Sequence, residues 1–211
     1  QFNVLKFISG IVKDINIFEN TFVKKIDGNS AITEKNKITF KKAVIATHFP
    51  IINNHGLFFM KMYQHRSYVI ALENAPEVNG MYVDQADSGL SFRNYENLLL
   101  LGGGSHKTGK QGGNWQELRD FRRINYPESK EVAFWATQDC KTLDHIPYIG
   151  PYFNGAENLF VATGFNKWGM TSSMAAAMIL TDMIKGKPND YAEVFSPSRS
   201  ILHPQFAVNM V

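Results

Sequence analysis

The residues best suited to chemistry lie together in Ala162-Thr163-Gly164-Phe165-Asn166-Lys167-Trp168-Gly169-Met170-Thr171. Glycines at Gly164 and Gly169 let a backbone come close to a flat or anionic group, because no Cβ stands in the way. The run continues as Ser172-Ser173-Met174-Ala175-Ala176-Ala177-Met178-Ile179-Leu180, a pattern expected to be helical until Gly186. A helix starting here would turn its free N–H groups and the positive end of its dipole toward one point. Thr171 or Ser172 is expected to cap it, and Ala175 to Ala177 to pack closely against a sheet or a cofactor. Upstream, Leu159 to Ala162 reads as a short apolar strand. A strand–turn–helix with purely structural duties would carry the same residues, so the stretch alone leaves the function open.

Other constellations are weaker. Gly104-Ser105-His106-Lys107-Thr108-Gly109-Lys110 fits the spacing glycine, four residues, glycine-lysine. A phosphate-binding loop also needs a Ser or Thr next and a helix beginning there; Gln111 and Gly112-Gly113 supply neither. A glycine-rich strand end is the better reading, and such backbone can still approach a ligand. The histidines form no metal-ligand spacing with one another or with a carboxylate. His48, His55 and His203 fall in expected loops, whereas His65 and His106 stand near strand ends beside aromatic residues, where they could line a pocket. No serine lies in a glycine-x-serine-x-glycine elbow. Cys140 has only Lys141 nearby to activate it and reads as a buried or loop thiol. Hydrolase and metalloenzyme chemistry are disfavoured.

At 211 residues, 44% apolar and 19% charged, the chain can bury a core of its own. A net charge of +3 with dispersed basic residues argues against nucleic acid, and Arg119, Arg122 and Arg123 read as the solvated face of a helix. The single cysteine rules out an internal disulfide, in keeping with a cytoplasmic location. No run is long and apolar enough to cross a bilayer, and no leader is visible. The chain opens at Gln1, within an expected strand, and is expected to be a fragment of a longer protein.

The elements that must position these residues follow from periodicity. Phe2 to Phe40 reads as β-rich, with strands at Asn16-Ile17-Phe18, Thr21 to Ile26 and Lys37 to Phe40 and a turn at Asp27-Gly28-Asn29. Ala43 to Thr47 is a buried-type strand ended by Pro50, and Tyr63 to Leu72 is a longer one. Gly80 to Val83, Leu90 to Arg93 and Asn97 to Leu101 read as neighbouring antiparallel strands. Asn114 to Ile124 has helical spacing, with Asn114 as its cap. Val132 to Thr137 reads as a strand, Asp144 to Gly150 as a loop, and the residues from Lys187 onward as a proline-broken tail.

Four of these pieces, in this order, resemble the later two-thirds of an FAD-dependent oxidoreductase of the D-amino-acid oxidase and glycine oxidase type. They are the strand pair around Thr21 to Ile26, the strand Ala43-Val44-Ile45-Ala46-Thr47, the loop Thr142-Leu143-Asp144-His145-Ile146-Pro147-Tyr148-Ile149-Gly150, and the stretch from Ala162 to Thr171 with its helix. Trp135-Ala136-Thr137-Gln138-Asp139-Cys140 and Lys167 to Thr171 are similar to the bacterial branch that carries a Rieske-type iron–sulfur domain after the oxidase part, with Ser198-Arg199 near the junction. The glycine-rich dinucleotide fingerprint of the family does not occur in these residues. Phe165 stands where many relatives have histidine, and Lys167 where they have a small residue.

The resemblance implies an α+β fold: an α/β-type FAD-binding remnant at residues 1–56 and 139–190, a mixed, largely antiparallel substrate-domain sheet at 57–138, and a tail at 191–211. It implies FAD in the full-length protein, a small-molecule amine or amino-acid substrate, and hydride transfer from that substrate to flavin. Implied cofactor-binding residues are Val23, Ala46, Thr47, Ile149, Gly150, Thr163, Gly164, Phe165, Lys167, Trp168, Gly169, Met170 and Thr171. The backbone from Gly164 to Thr171 would face the pyrimidine side of the flavin, where N–H groups stabilise negative charge. Lys167 would either add to this or face outward. Arg93, Arg66, Tyr63, Tyr68 and His106 are candidates for holding a carboxylate or shaping the pocket, arginine having the bidentate geometry a carboxylate prefers. The alternative is a non-catalytic binding module that keeps the oxidase fold without cofactor; its glycines would be packed by side chains and no cleft would remain.

Overall fold

The computed structural model describes residues 3–52, 55–86 and 89–200, so His203 lies outside the described residues. The chain divides into two units, Gln1–Ala43 and Val44–Val211.

The first unit begins with a helix where a strand was expected. Helix α1 (Val4–Ile11) is capped by Asn3, whose side chain accepts from the Lys6 N–H at 3.1 Å. Val4, Leu5, Phe7, Ile8 and Ile11 all stay exposed. Their recurrence at three and four residues is the helical period, which outweighs the local alternation. Asn16-Ile17-Phe18, expected as a strand, forms no regular element. Strands β1 (Val23–Asp27), β2 (Ser30–Thr33) and β3 (Lys37–Thr39) make an antiparallel sheet in that order. Gly28, at φ +53, supplies the left-handed turn between β1 and β2.

The second unit runs β4 (Ala43–Ile45), α2 (Phe58–Lys61), β5 (Met62–Glu73), β6 (Met81–Val83), β7 (Ser91–Tyr95), β8 (Leu98–Lys107), α3 (Gln116–Asn125), β9 (Lys130–Thr142), β10 (Tyr148–Pro151), β11 (Leu159–Thr163) and α4 (Gly169–Ile184). A five-stranded antiparallel sheet has the order β6-β7-β8-β5-β9. Tyr68, Ile70 and Leu72 of β5 and Leu99 and Leu101 of β8 pack against Leu118 of α3. Because strand side chains alternate, Ser67, Val69 and Ala71 turn to the opposite face. Between the pairs Arg66↔His106 and Tyr68↔Gly103, β8 holds one residue more than β5. Gly104 sits in this bulge at φ +61, and the bulge brings the Ser105 hydroxyl to 2.9 Å from that of Ser67.

The smaller sheet, β10-β11-β4, is covered on both faces. Ile149, Phe160 and Ala162 meet Ala176, Ile179 and Leu180 of α4. Tyr148 and Val161 join Ile45, Phe58, Met62, Cys140 and Tyr152 in a second cluster. Helix α4 stops as expected: Gly186 takes φ +68, and the Lys187 N–H donates to the Asp182 carbonyl at 2.8 Å.

The expected caps are corrected. No side chain caps α4; Thr171 and Ser172 lie inside its first turn, and the Thr171 hydroxyl donates to the Trp168 carbonyl at 3.2 Å. Helix α3 begins two residues after Asn114, which takes φ 54 and turns its side chain to the Tyr68 hydroxyl instead. Strand β9 is longer than its sequence pattern suggests because it pairs with the whole of β5.

Candidate functional site

A cleft of about 350 Å³ opens where β10 meets the start of α4. It is lined by His145, Pro147 and Ile149 from the loop and strand, by Phe165, Asn166, Trp168, Thr171, Ser172 and Ala175 from the turn and helix, and by Phe195. Four of the implied cofactor-binding residues (Ile149, Phe165, Trp168 and Thr171) thus converge. At the mouth of α4, a Cβ added to Gly169 would meet nothing within 4 Å. An uncapped helix start beside a bare glycine leaves backbone N–H groups free to take an anionic or electron-rich edge. The other two glycines are filled from within the chain. Gly150, at φ +148, packs against Pro197, and Gly164, at φ +71, packs against Thr142 and Met62.

The turn between β11 and α4 is strained and firmly held. Asn166 and Lys167 both have positive φ, 50 and 72, a conformation that costs a non-glycine residue of order 1 kcal/mol or more. The Asn166 side chain offsets that cost: its Oδ1 accepts from the Thr142 N–H at 2.9 Å, and its Nδ2 donates to the Gly164 carbonyl at 2.8 Å. Its backbone N–H donates to the Cys140 carbonyl at 3.2 Å. The turn is thereby tied to the end of β9.

Lys167 is delivered onto the large sheet. Its Nζ donates to Ser67 Oγ and Ser105 Oγ, both at 2.9 Å. Although the residue as a whole is exposed, its nitrogen is crowded by the sheet. That burial, followed by the charge of Lys141, lowers its pKa against the opposing pull of Asp139.

The pocket candidates on the large sheet do not converge. Tyr68 is core, its hydroxyl 2.9 Å from His106 Nε2 and 3.1 Å from Asn114 Oδ1. Arg66 is exposed on the face that carries Tyr68. Tyr63 and Arg93 lie on the opposite face with Ser67, Tyr63 beneath the Lys107 ammonium at 5.6 Å. Ala46 and Thr47 follow β4 in exposed positions, with the Thr47 hydroxyl donating to the Phe49 carbonyl at 2.8 Å. Thr163 is buried and bonds the His48 carbonyl. Met170 is 41% exposed on the first turn of α4. Val23 opens β1 in the first unit, half-buried.

Sequence reasoning missed Ser67, Ser105 and Asn166. Isolated serines carry no signal before strand register is known, and only an asparagine two residues after Gly164 hints at a left-handed turn. Arg199 was placed only near a domain junction; in the structure it binds Asp144, and its guanidinium lies 3.8 Å over the Tyr148 ring. Among the described residues, no group of His, Cys, Asp and Glu could hold a metal ion.

Residues 7–183 match the family model of the FAD dependent oxidoreductases (DAO). The chain belongs to this family. YhfW of Bacillus subtilis (strain 168), named as a Rieske 2Fe-2S iron–sulfur protein, is 36% identical over 221 residues, covering 97% of this chain and 43% of its own length. Glycine oxidase from Geobacillus kaustophilus superposes with a TM-score of 0.73 at 20% identity, covering 87% of this chain and 53% of that one. L-proline dehydrogenase from P. horikoshii gives 0.66 at 20% identity, covering 85% and 53%. The chain therefore spans about half the length of these relatives. The α+β, mainly antiparallel architecture agrees with the glycine oxidase fold.

Proposed function

We propose that this chain supplies the flavin-facing turn and the substrate sheet of an FAD-dependent oxidoreductase that takes a hydride from an amine or amino-acid-like substrate. The observation that carries the reading is the uncapped start of α4, with Gly169 bare, at the edge of the cleft. A cofactor-free module would have filled that place; the packing of Gly150 and Gly164 goes part of the way, but the cleft remains.

The residues present fit FAD. The N–H groups of Gly169, Met170 and Thr171 would hold the electron-rich edge of the ring, and Phe165, Trp168 and Ile149 would exclude water. Bound flavin would supply the hydride acceptor. Residues 1–56 and 139–190 would belong to the FAD-binding domain, 57–138 to the substrate domain and 191–211 to a tail. Ala46 and Thr47 would add to the cofactor site in the full-length protein, and Val23 of the first unit is a separate proposed cofactor contact. A Rieske-type domain is the proposed partner for electrons, in line with the similarity to YhfW.

Visible absorbance tests the reading. Full-length protein should keep a flavin band after unbound FAD is removed, and amines or amino acids should bleach it without oxygen. A full-length protein that takes up no flavin overturns it.

A further inference from the structure

We infer that Lys167, with Ser67 and Ser105, forms a proton-accepting cluster that converts the substrate's ammonium into the free amine before oxidation. The inference rests on the amine-oxidising reading above and adds a role that reading does not require.

The geometry is a closed triangle. Lys167 Nζ lies 2.9 Å from each serine oxygen, and the two oxygens lie 2.9 Å from one another. Three separate elements build it: β5 gives Ser67, the glycine bulge of β8 gives Ser105, and the strained turn before α4 gives Lys167. A lysine that served only to tether the turn would be expected to meet a carboxylate or carbonyl. Hydroxyls differ in one respect. Each can accept from an ammonium or donate to an amine, so the nitrogen gains and loses a proton without losing a partner. The groups around it also keep it from being locked as a cation. Asp139 and Lys141 of β9 act on it in opposite senses, and His65 of β5 and Lys107 of β8 stand on the same sheet face. Burial of the nitrogen then weighs toward the neutral form.

The step balances. An N–H bond of the substrate ammonium breaks, and its electron pair stays on the substrate nitrogen. The proton forms a bond to the lone pair of Lys167 Nζ, which becomes an ammonium donating to Ser67 and Ser105. Through the serine pair the proton can pass on to solvent. The neutral amine left behind has the lone pair that assists departure of hydride from the adjacent carbon.

Two measurements on the full-length protein decide it. Competitive acetylation across pH, read by mass spectrometry, should show Lys167 titrating below the exposed lysines, and Ser67→Ala with Ser105→Ala should move that titration. Co-titration with the exposed lysines overturns the proposal. Second, the rate of anaerobic flavin bleaching by an amine is followed against pH. Lys167→Met and Lys167→Arg should both lower it roughly 100-fold at pH 7, the rate recovering as the substrate amine itself titrates. Arginine keeps the charge but cannot accept the proton. If no amine bleaches the wild-type flavin, the functional reading fails and the role of Lys167 with it. If amines do bleach it and both variants follow the wild-type profile, only the role of Lys167 falls.

Discussion

Arg199 grips Asp144 with two hydrogen bonds of 2.7 and 2.9 Å, joining the segment after α4 to the loop before β10. The same guanidinium donates to the carbonyls of Ile146, Pro147 and Ser196, and the Ile149 N–H donates to the Phe195 carbonyl at 2.8 Å. Within the proline-broken segment after α4, Phe195 and Arg199 thus form a latch along one wall of the cleft.

The latch should show in the acid limb of stability. Burial pushes the Asp144 carboxyl up, but the Arg199 hydrogen bonds, the Ile146 N–H and the Arg199 charge outweigh it, so its pKa is lowered. A depressed carboxyl contributes stability that is present above its unfolded pKa and lost as pH falls through the folded one. Arg199→Ala should therefore cost on the order of 3 kcal/mol at pH 7. The deficit should shrink as pH falls below the carboxylate range. Urea unfolding at pH 7 and at pH 3 checks this; an equal deficit at both would refute it.

Gly164 and Gly169 should separate folding from function. A Cβ at Gly164, already at φ +71, would overlap Thr142. Gly164→Ala should lose on the order of 2–3 kcal/mol in thermal or urea unfolding. Gly169→Ala meets no neighbour and should stay within about 0.5 kcal/mol of wild type. In full-length protein it should still weaken flavin retention, as measured by equilibrium dialysis.

Asn166 carries both strain and hydrogen bonds, and two substitutions divide them. Asn166→Gly keeps the positive φ at no steric cost and loses the bonds to Thr142 and Gly164; a loss of about 1–2 kcal/mol is expected. Asn166→Ala loses the bonds and pays the strain as well, so it should fall roughly 1 kcal/mol further. Equal unfolding midpoints for the two would show that the backbone strain is unimportant.

Cys140 should be silent toward thiol reagents. Burial, then the Asp139 charge, pushes its pKa up to about 11. At pH 8 the folded protein should react with a disulfide reagent far more slowly than the unfolded chain. The same raised pKa makes a small part of the stability fade as pH rises from the ordinary thiol value of 9.0 toward about 11. Fast native-state labelling at pH 8 would contradict the burial.

Much of the fold is legible in the sequence. The apolar strand Leu159–Thr163, the glycine turn, the helix and its stop at Gly186 all depend on near neighbours: hydrophobic period, small residues and a left-handed C-terminal glycine. The rejected phosphate loop was equally readable, since Gly112-Gly113 cannot begin a helix, and β8 indeed runs through Gly102 to Lys107 with no helix until Gln116. The opening helix Val4–Ile11 was present in the spacing too, but was masked by β-like alternation further on.

What the sequence by itself determined is the family, the kind of strand and helix at most positions, and the glycine turn that leads into α4. Tertiary structure alone decided which side chains meet. Lys167, Ser67 and Ser105 are brought together only because β5 and β8 pair with a bulge at Gly104, and because Asn166 ties the turn to the end of β9. Asp144 and Arg199 meet only when the chain has returned across α4 to β10. The reason is physical: element type follows from local backbone and side-chain preferences, whereas a hydrogen bond between distant residues depends on strand register and closure, which no single position encodes.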